Sequence, residues 1–226
     1  MATLPQELEA HRALEESLAG LARDDKRVQL VLKRAIDIVA GLLLLAALGI
    51  PAAIVALLIR IDSRGAPLLT QPRVGKSGRI FHMYKFRTMC QDAHAQIADL
   101  QALNEQAGPI FKIRNDPRMT RIGRWLRKLS IDEVPQLLNV VRGDMSLVGP
   151  RPPLPHEVQV YTRHQLRRLG ARPGLTGLWQ VSGRSTLPFD EMVALDIQYI
   201  EEWTLVRDMV ILVKTLPAVV STRGAY

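Results

Sequence analysis

The chain has 226 residues, 47% of them hydrophobic, a formal net charge of +8 and one cysteine, Cys90. That length bounds the protein to one domain with an appendage, and a lone cysteine excludes an intramolecular disulfide and fits a reducing compartment. The positive balance points to an anionic partner: nucleic acid, an acidic membrane face or phosphorylated substrates.

Residues 1–27 are polar and charged, and Leu14, Leu18 and Leu21 share one helical face, which predicts a short amphipathic helix or a frayed arm. Residues 28–64 enclose an apolar run, Ala35 to Ile59, long enough to span a bilayer as a helix. It starts too far into the chain for a cleavable signal peptide. Lys26, Arg27, Lys33 and Arg34 precede it, and Arg60 and Arg64 follow it. A spanning helix carries positive charge mainly on its cytoplasmic side, so charge at both ends favours both ends on that side. Pro51 removes a helix hydrogen bond near the middle and predicts a break. A helix-break-helix that dips into one leaflet and returns satisfies both facts. An ordinary kinked spanning helix satisfies the second. Asp37, one turn inside the run, is expected at headgroup depth or paired with Lys33 or Arg34.

Residues 65–226 form the remaining unit. Residues 67–90 read as strands and turns, and strand alternation puts Lys85 and Arg87 on one face. A solvated strand face is the plain alternative. Cys90 reads as a small buried hydrophobe. Residues 91–107 read as a helix, and His82 and His94 lack metal-ligand companions. From 117 to 129, apolar residues recur at three and four between five basic ones, an interfacial amphipathic helix with Trp125 at the headgroups. No aromatic stacking platform accompanies it, so nucleic acid is not expected as a partner. Residues 208–220 are apolar and too short to span comfortably. They pack on the core or lie at the membrane face.

Ser130 is placed to cap a helix whose first turn holds Asp132 and Glu133, with Gly143 as its C-cap. A helix start and the upstream Arg127 both favour an ionised carboxylate, the form a nucleophile needs. The Ser130-x-x-Glu133 spacing equally fits a capping box, a purely structural role. Arg151 sits in a stiff Gly-Pro-Arg-Pro turn, and Arg172 and Arg184 bracket a glycine-rich stretch. Arginine forks hold phosphate oxygens at two points, and glycines let backbone amides approach an anion. Neither stretch matches a Walker or dinucleotide pattern.

Several motifs in order carry a family resemblance: Lys33-Arg34-x-x-Asp37, Lys85-Phe86-Arg87-Thr88-Met89, and Asp116-Pro117-Arg118. The strongest is Leu129-Ser130-x-Asp132-Glu133-x-Pro135-Gln136-Leu137-x-Asn139-Val140, continuing through Gly143-Asp144-Met145-Ser146-Leu147-Val148-Gly149-Pro150-Arg151-Pro152. Arg172-Pro173-Gly174-Leu175-Thr176-Gly177 and Gly183-Arg184 complete the set. Over residues 28–226 the chain resembles the bacterial sugar transferases, the monotopic phosphoglycosyl transferases of polyprenyl phosphate, and within them the exopolysaccharide-initiating type.

The resemblance implies transfer of a sugar-1-phosphate from a UDP-sugar to undecaprenyl phosphate with release of UMP. Galactose or glucose is favoured as the sugar. Asp132 then matches the nucleophile and Glu133 its partner, which serves either the metal or proton transfer. Arg127 and Arg151 match phosphate-binding arginines, and Lys85, Arg87 and Arg184 fall in family motifs as substrate-binding candidates. Mg²⁺ is the implied cofactor, with Asp132 its protein ligand. The implied fold is mixed α/β and mostly helical, with a small sheet, interfacial helices and a re-entrant membrane helix broken at Pro51. The catalytic domain would sit on the cytoplasmic face of the inner membrane. Partners would be inner-membrane lipids, downstream glycosyltransferases and a second copy of the chain. Family members often carry serine before that proline, where this chain has Ile50. The rival reading is a membrane-tethered regulator that binds nucleotide sugars without turnover.

Overall fold

The computed structural model describes residues 4–93, 95–97, 99, 100, 103–105, 113 and 115–220. The protein is mostly helical, with two small two-stranded sheets. Helix α1 runs from Leu4 to Asp62 without interruption, so the polar arm and the apolar run form one element. Among the described residues it contains the one stretch long and apolar enough to cross a membrane, within Asp25–Asp62. Pro51 lies inside it, and the helix continues past it where a break was expected. A proline removes one backbone donor, and the packing of α1 on either side of it offsets that loss.

That packing is periodic. Asp37, Ala40, Leu45, Leu48, Ala52, Val55, Ala56 and Ile59 turn toward the protein, at helical spacing. The opposite face, with Val39, Leu43, Ile50, Ile54, Leu57 and Ile61, is exposed and apolar. Asp37 pairs with neither Lys33 nor Arg34. Its Oδ1 accepts from Ser146 Oγ at 3.1 Å and from the Leu147 amide at 2.9 Å. Lys33 instead reaches Asp208, and Arg34 donates to the Val140 and Val141 carbonyls. Local spacing is overridden because the buried carboxylate needs partners that stay with it in the interior.

Strands β1 (Leu68–Val74) and β2 (Ile80–Phe86) form an antiparallel hairpin, with Leu69 opposite Lys85. Pro72 is tolerated because a two-stranded sheet has only edge strands. The described part of 91–107 holds turns, including a 3-10 turn at Ala95–Ile97, rather than an α-helix. His94 lies outside the described residues. Helix α2 (Arg121–Lys128) is capped by Thr120, whose side chain accepts from the Gly123 amide. Leu126 is buried, whereas Trp125 is 65% exposed. A 3-10 run, Ile131–Gln136, leads into α3 (Leu137–Arg142), which ends at Gly143 in the left-handed region at φ 93°.

Strands β3 (Ser146–Val148) and β4 (Gly174–Thr176) pair in parallel. Short helices α4 (Pro155–Gln159), α5 (Arg163–Leu166) and α6 (Leu178–Ser182) precede α7 (Phe189–Glu201) and α8 (Leu205–Val220). The main core joins Phe81 and Met83 of β2, Leu137 and Val140 of α3, β3, Tyr199 and Ile211. Of the two placements expected for 208–220, helix α8 shows packing on the core: Ile211 is buried, while Val210, Val213 and Leu216 are exposed.

Candidate active site

Asp132 and Glu133 lie at the start of the 3-10 run, against the end of β2. Lys85 Nζ bridges them, 3.0 Å from Asp132 Oδ2 and 3.4 Å from Glu133 Oε1. The register that brings Lys85 there is set by Asn139, which is fully buried. Its Oδ1 accepts from the Tyr84 amide at 3.0 Å, and its Nδ2 donates to the His82 carbonyl at 2.8 Å. Asn139 thus clamps β2 to α3. Asn139 stands in the strongest motif of the sequence, a polar residue beside the apolar stripe, with no role assigned to it there.

Ser130 does not cap a helix by its side chain. It sits in the left-handed region at φ 56°, and Glu133 bonds to its carbonyl through the backbone alone. The capping box is absent, and the dyad opens a 3-10 turn instead of an α-helix. Pro135 contributes to this, since it has no amide to donate to the residue 131 carbonyl. The Ser130 hydroxyl instead accepts from Arg184 NH2 at 3.2 Å.

The arginines divide. Arg151 NH1 lies 3.9 Å from Glu133 Oε1. Arg127 donates through Nε to Thr88 Oγ1 at 3.0 Å, and burial lowers its pKa against the pull of Asp132 and Asp116. Arg184 reaches Ser130, and its NH1 is buried with no hydrogen-bond partner among the described residues. Arg87 lines the same cavity, with its guanidinium engaged by the end of α1. NH1 donates to the Arg64 carbonyl and NH2 to the Ser63 carbonyl and hydroxyl, so it closes the end of α1. Strand alternation ends at Phe86, so Lys85 and Arg87 do not share a task.

Arg73, which sequence reasoning missed, belongs to the site. Its NH1 donates to the Pro152 carbonyl at 2.9 Å and its NH2 to Gln71 Oε1 at 2.7 Å, fixing the turn that carries Arg151. Burial, reinforced by the nearby Arg151 charge, lowers its pKa to about 9. Burial alone would raise Glu133, but the Lys85 ammonium and the Arg151 and Arg73 guanidiniums outweigh it, so its pKa lies below the ordinary value.

In the glycine-rich stretch and the turn before it, two amides are already bonded within the protein. The Gly149 amide donates to the Thr176 carbonyl and the Gly174 amide to the Pro150 carbonyl. A Cβ on Gly174 would lie 2.0 Å from the Gly149 amide nitrogen, so these glycines let two strands touch.

A cavity of about 1460 Å³ collects these groups. Lys85, Asp132, Glu133, Arg127, Arg151 and Arg184 line it together with Leu44, Leu48, Leu212 and Leu216 of α1 and α8. Among the described residues no cluster of three or more His, Cys, Asp or Glu side chains exists. Asp132 Oδ2 and Glu133 Oε1 nevertheless converge on one cation, the Lys85 ammonium. Two carboxylate oxygens beside an open cavity suit Mg²⁺, which takes one or two carboxylates and completes its shell with substrate phosphates and water.

A carboxylate pair ringed by cations, at the root of an apolar helix, is the equipment of a membrane-associated group-transfer enzyme. The comparisons agree. A family model described as bacterial sugar transferase matches residues 28–222. The galactosyl transferase CpsE of Streptococcus agalactiae is 47% identical over 201 residues, covering 88% of this chain and 44% of that protein. The exopolysaccharide production protein ExoY of Rhizobium meliloti is 40% identical over 198 residues, covering 86% and 88%. The undecaprenyl-phosphate galactose phosphotransferase of Salmonella typhimurium is 42% identical over 206 residues, covering 89% and 43%. The chain thus spans less than half the length of two of these relatives. It belongs to the bacterial sugar transferase family and is a transferase.

Proposed function

We propose that this protein transfers a sugar-1-phosphate from a UDP-sugar to undecaprenyl phosphate and releases UMP, by way of a phosphosugar-aspartyl intermediate. The reading rests most on Asp132: a buried carboxylate, salt-bridged to Lys85, in a cavity that has both arginines and membrane-helix leucines in its wall. Similarity to relatives named for undecaprenyl-phosphate and galactose transfer supplies the substrate classes.

Asp132 attacks the phosphorus that bears the sugar. The new bond is carboxyl oxygen to phosphorus, and the bond that breaks joins that phosphorus to the oxygen of UMP. The acceptor phosphate oxygen then attacks the same phosphorus and releases the Asp132 carboxylate. Lys85 holds Asp132 in place and offsets its charge as an anionic diphosphate approaches. Arg151 and Arg127 receive the diphosphate oxygens, and Arg73 keeps the Arg151 turn in position. Glu133 stays ionised beside Asp132. Mg²⁺, held by Asp132 with Glu133, would offset charge on the diphosphate.

The apolar segment 28–64 is proposed to dip into one leaflet from the cytoplasmic face, with residues 65–226 as the catalytic domain there. Support comes from both ends of the run. At one, Asp37 and Lys33 bind β3 and α8. At the other, Asp62 accepts from the Ile122 amide and Arg87 holds Ser63 and Arg64. Both ends therefore attach to one globular body. Exposed Trp125 on α2 suits the headgroup layer.

The deciding assay measures UMP release from a panel of UDP-sugars, with and without undecaprenyl phosphate and Mg²⁺, for wild type and Asp132→Asn. Lipid- and metal-dependent release by wild type only is the expected result, and the productive donor names the sugar. Full activity in Asp132→Asn would overturn the nucleophile assignment.

A further inference from the structure

Two helices line the apolar part of the cavity, and they are fastened together at one end. Gln29 Oε1 accepts from the Leu205 amide at 3.2 Å, and Lys33 Nζ lies 2.5 Å from Asp208 Oδ2. Tyr199 and Trp203 also donate to Asp208, which makes the clasp a buried, fully engaged network. From there the contacts advance in step along both chains, with Ile36 and Asp37 near Met209 and Leu212. So α1 and α8 run side by side in the same direction.

Beyond the clasp, by roughly 16 Å at about 1.5 Å per residue, the two helices become walls of the large cavity. Leu44 and Leu48 come from α1, and Leu212, Leu216 and Val219 from α8. Leu44 and Leu216 line the cavity and are exposed as well, Leu216 to 70%. They therefore mark its mouth. Leu43 and Val213, close to them on the two helices, are exposed and apolar, so the mouth opens on greasy surface. The same cavity is lined by Lys85, Glu133 and the buried Asp132.

We propose that the cleft between α1 and α8 is the port and tail-binding site for the isoprenoid chain of the acceptor. The inference rests on the transferase reading above and adds the path by which the lipid arrives. An acceptor of this kind has to bring a phosphate to Asp132 while its hydrocarbon stays out of water. A cavity that is lined by cations and by leucines and open beside a membrane helix meets both demands. The nucleotide sugar has no hydrocarbon and has no use for the leucines, so donor and acceptor are drawn to one carboxylate from different sides.

The test separates the two half-reactions. Exchange of labelled UMP into UDP-sugar needs no lipid and reports the donor half. Product formation from undecaprenyl phosphate reports the acceptor half. Leu44→Trp and Leu216→Trp narrow the mouth from exposed positions and leave the core intact. Val213→Trp is the control, because Val213 is 68% exposed on the same helix but does not line the cavity. The expected result is a KM for undecaprenyl phosphate raised by about tenfold in the two mouth variants, with exchange and the KM for UDP-sugar unchanged. A ten-carbon isoprenoid phosphate, which needs little of the cleft, should lose less. An unchanged KM for undecaprenyl phosphate in both mouth variants, or an equal rise in Val213→Trp, would overturn the cleft assignment. Absence of exchange in wild type would instead sink the aspartyl intermediate, and absence of lipid-linked product in wild type would sink the transferase reading, and the cleft with it.

Discussion

Ser130 and Arg184 share a hydrogen bond and a conformation. Arg184 NH2 donates to Ser130 Oγ at 3.2 Å, and both residues hold left-handed backbones, at φ 55° and 56°. Neither is glycine, so each position carries steric strain of roughly 1–2 kcal/mol. That strain flanks Asp132 from two segments of the chain. Ser130→Gly relieves it at one position and removes the hydroxyl that Arg184 uses. The variant should melt slightly higher than wild type, by about 1 kcal/mol of stability, and release UMP more slowly. Thermal unfolding in detergent and the UMP assay read the two effects side by side.

Lys85→Met removes the cation that bridges the dyad. UMP release should fall by about a hundredfold. The pH profile should move as well. Burial raises Glu133, and Lys85 is the foremost of the charges that outweigh it. Without Lys85 its pKa rises, so the acid limb of the UMP-release profile should shift to higher pH. In wild type the depressed folded pKa makes ionised Glu133 stabilising above the unfolded value of 4.5, and that contribution is lost as pH falls through the folded value. In Lys85→Met the contribution shrinks, which melting curves across the same pH range would show.

Arg168 of the buried Arg168–Asp196 pair sits over the rings of Tyr161 and Phe189, which touch each other. Burial raises the Asp196 pKa from 3.8 to about 6, against the pull of Arg168. A folded acid that binds its proton more tightly than the unfolded one loses stability as pH rises between those values. Arg168→Met leaves the carboxylate buried and alone, at a cost of about 3–5 kcal/mol near neutral pH. Without the pull of Arg168 the Asp196 pKa rises above 6, so part of that loss should be regained as pH falls and Asp196 is protonated, with the gain already complete below 6. Melting temperatures of the variant on both sides of that pH test the sign.

The topology has a direct readout. In a Cys90→Ser background, single cysteines at Lys26 and Arg64 flank the apolar run on its two sides. Both should resist an impermeant maleimide in intact cells and react in inside-out vesicles. Labelling of one site only in intact cells would establish a full crossing.

Much of this arrangement was legible in the sequence. The apolar run, the hairpin around 68–86 and the carboxylate pair were all placed within a few residues by periodicity and turn chemistry. Lys85, Arg127, Arg151 and Arg184, separated by up to 99 positions, do line one cavity with Asp132. Their chemical roles came from family resemblance, since Asp132 and Glu133 alone fit a capping box as well. What stayed hidden depends on contacts between distant segments. Arg87 looks like a partner of Lys85 until α1 ends within its reach. Gly149 and Gly174 look like an anion loop until two strands close on each other. Arg73 and Asn139 act through the Pro152 carbonyl and the β2 backbone, which no local pattern names. Ser130 looks like a cap until the chain turns left-handed there.

Helix α1 packs one face on the protein from Asp37 to Ile59 and contributes to two of the hydrophobic clusters. The anchor is therefore also a beam of the building. Cutting it away would leave Phe81, Met83, Val140, Phe86 and Leu126 without cover, and the hydroxyl and amide of Ser146 and Leu147 without their acceptor. A water-soluble catalytic fragment cannot be excised from this chain by trimming its greasy end. The apolar helix and the globular body have to fold as one unit.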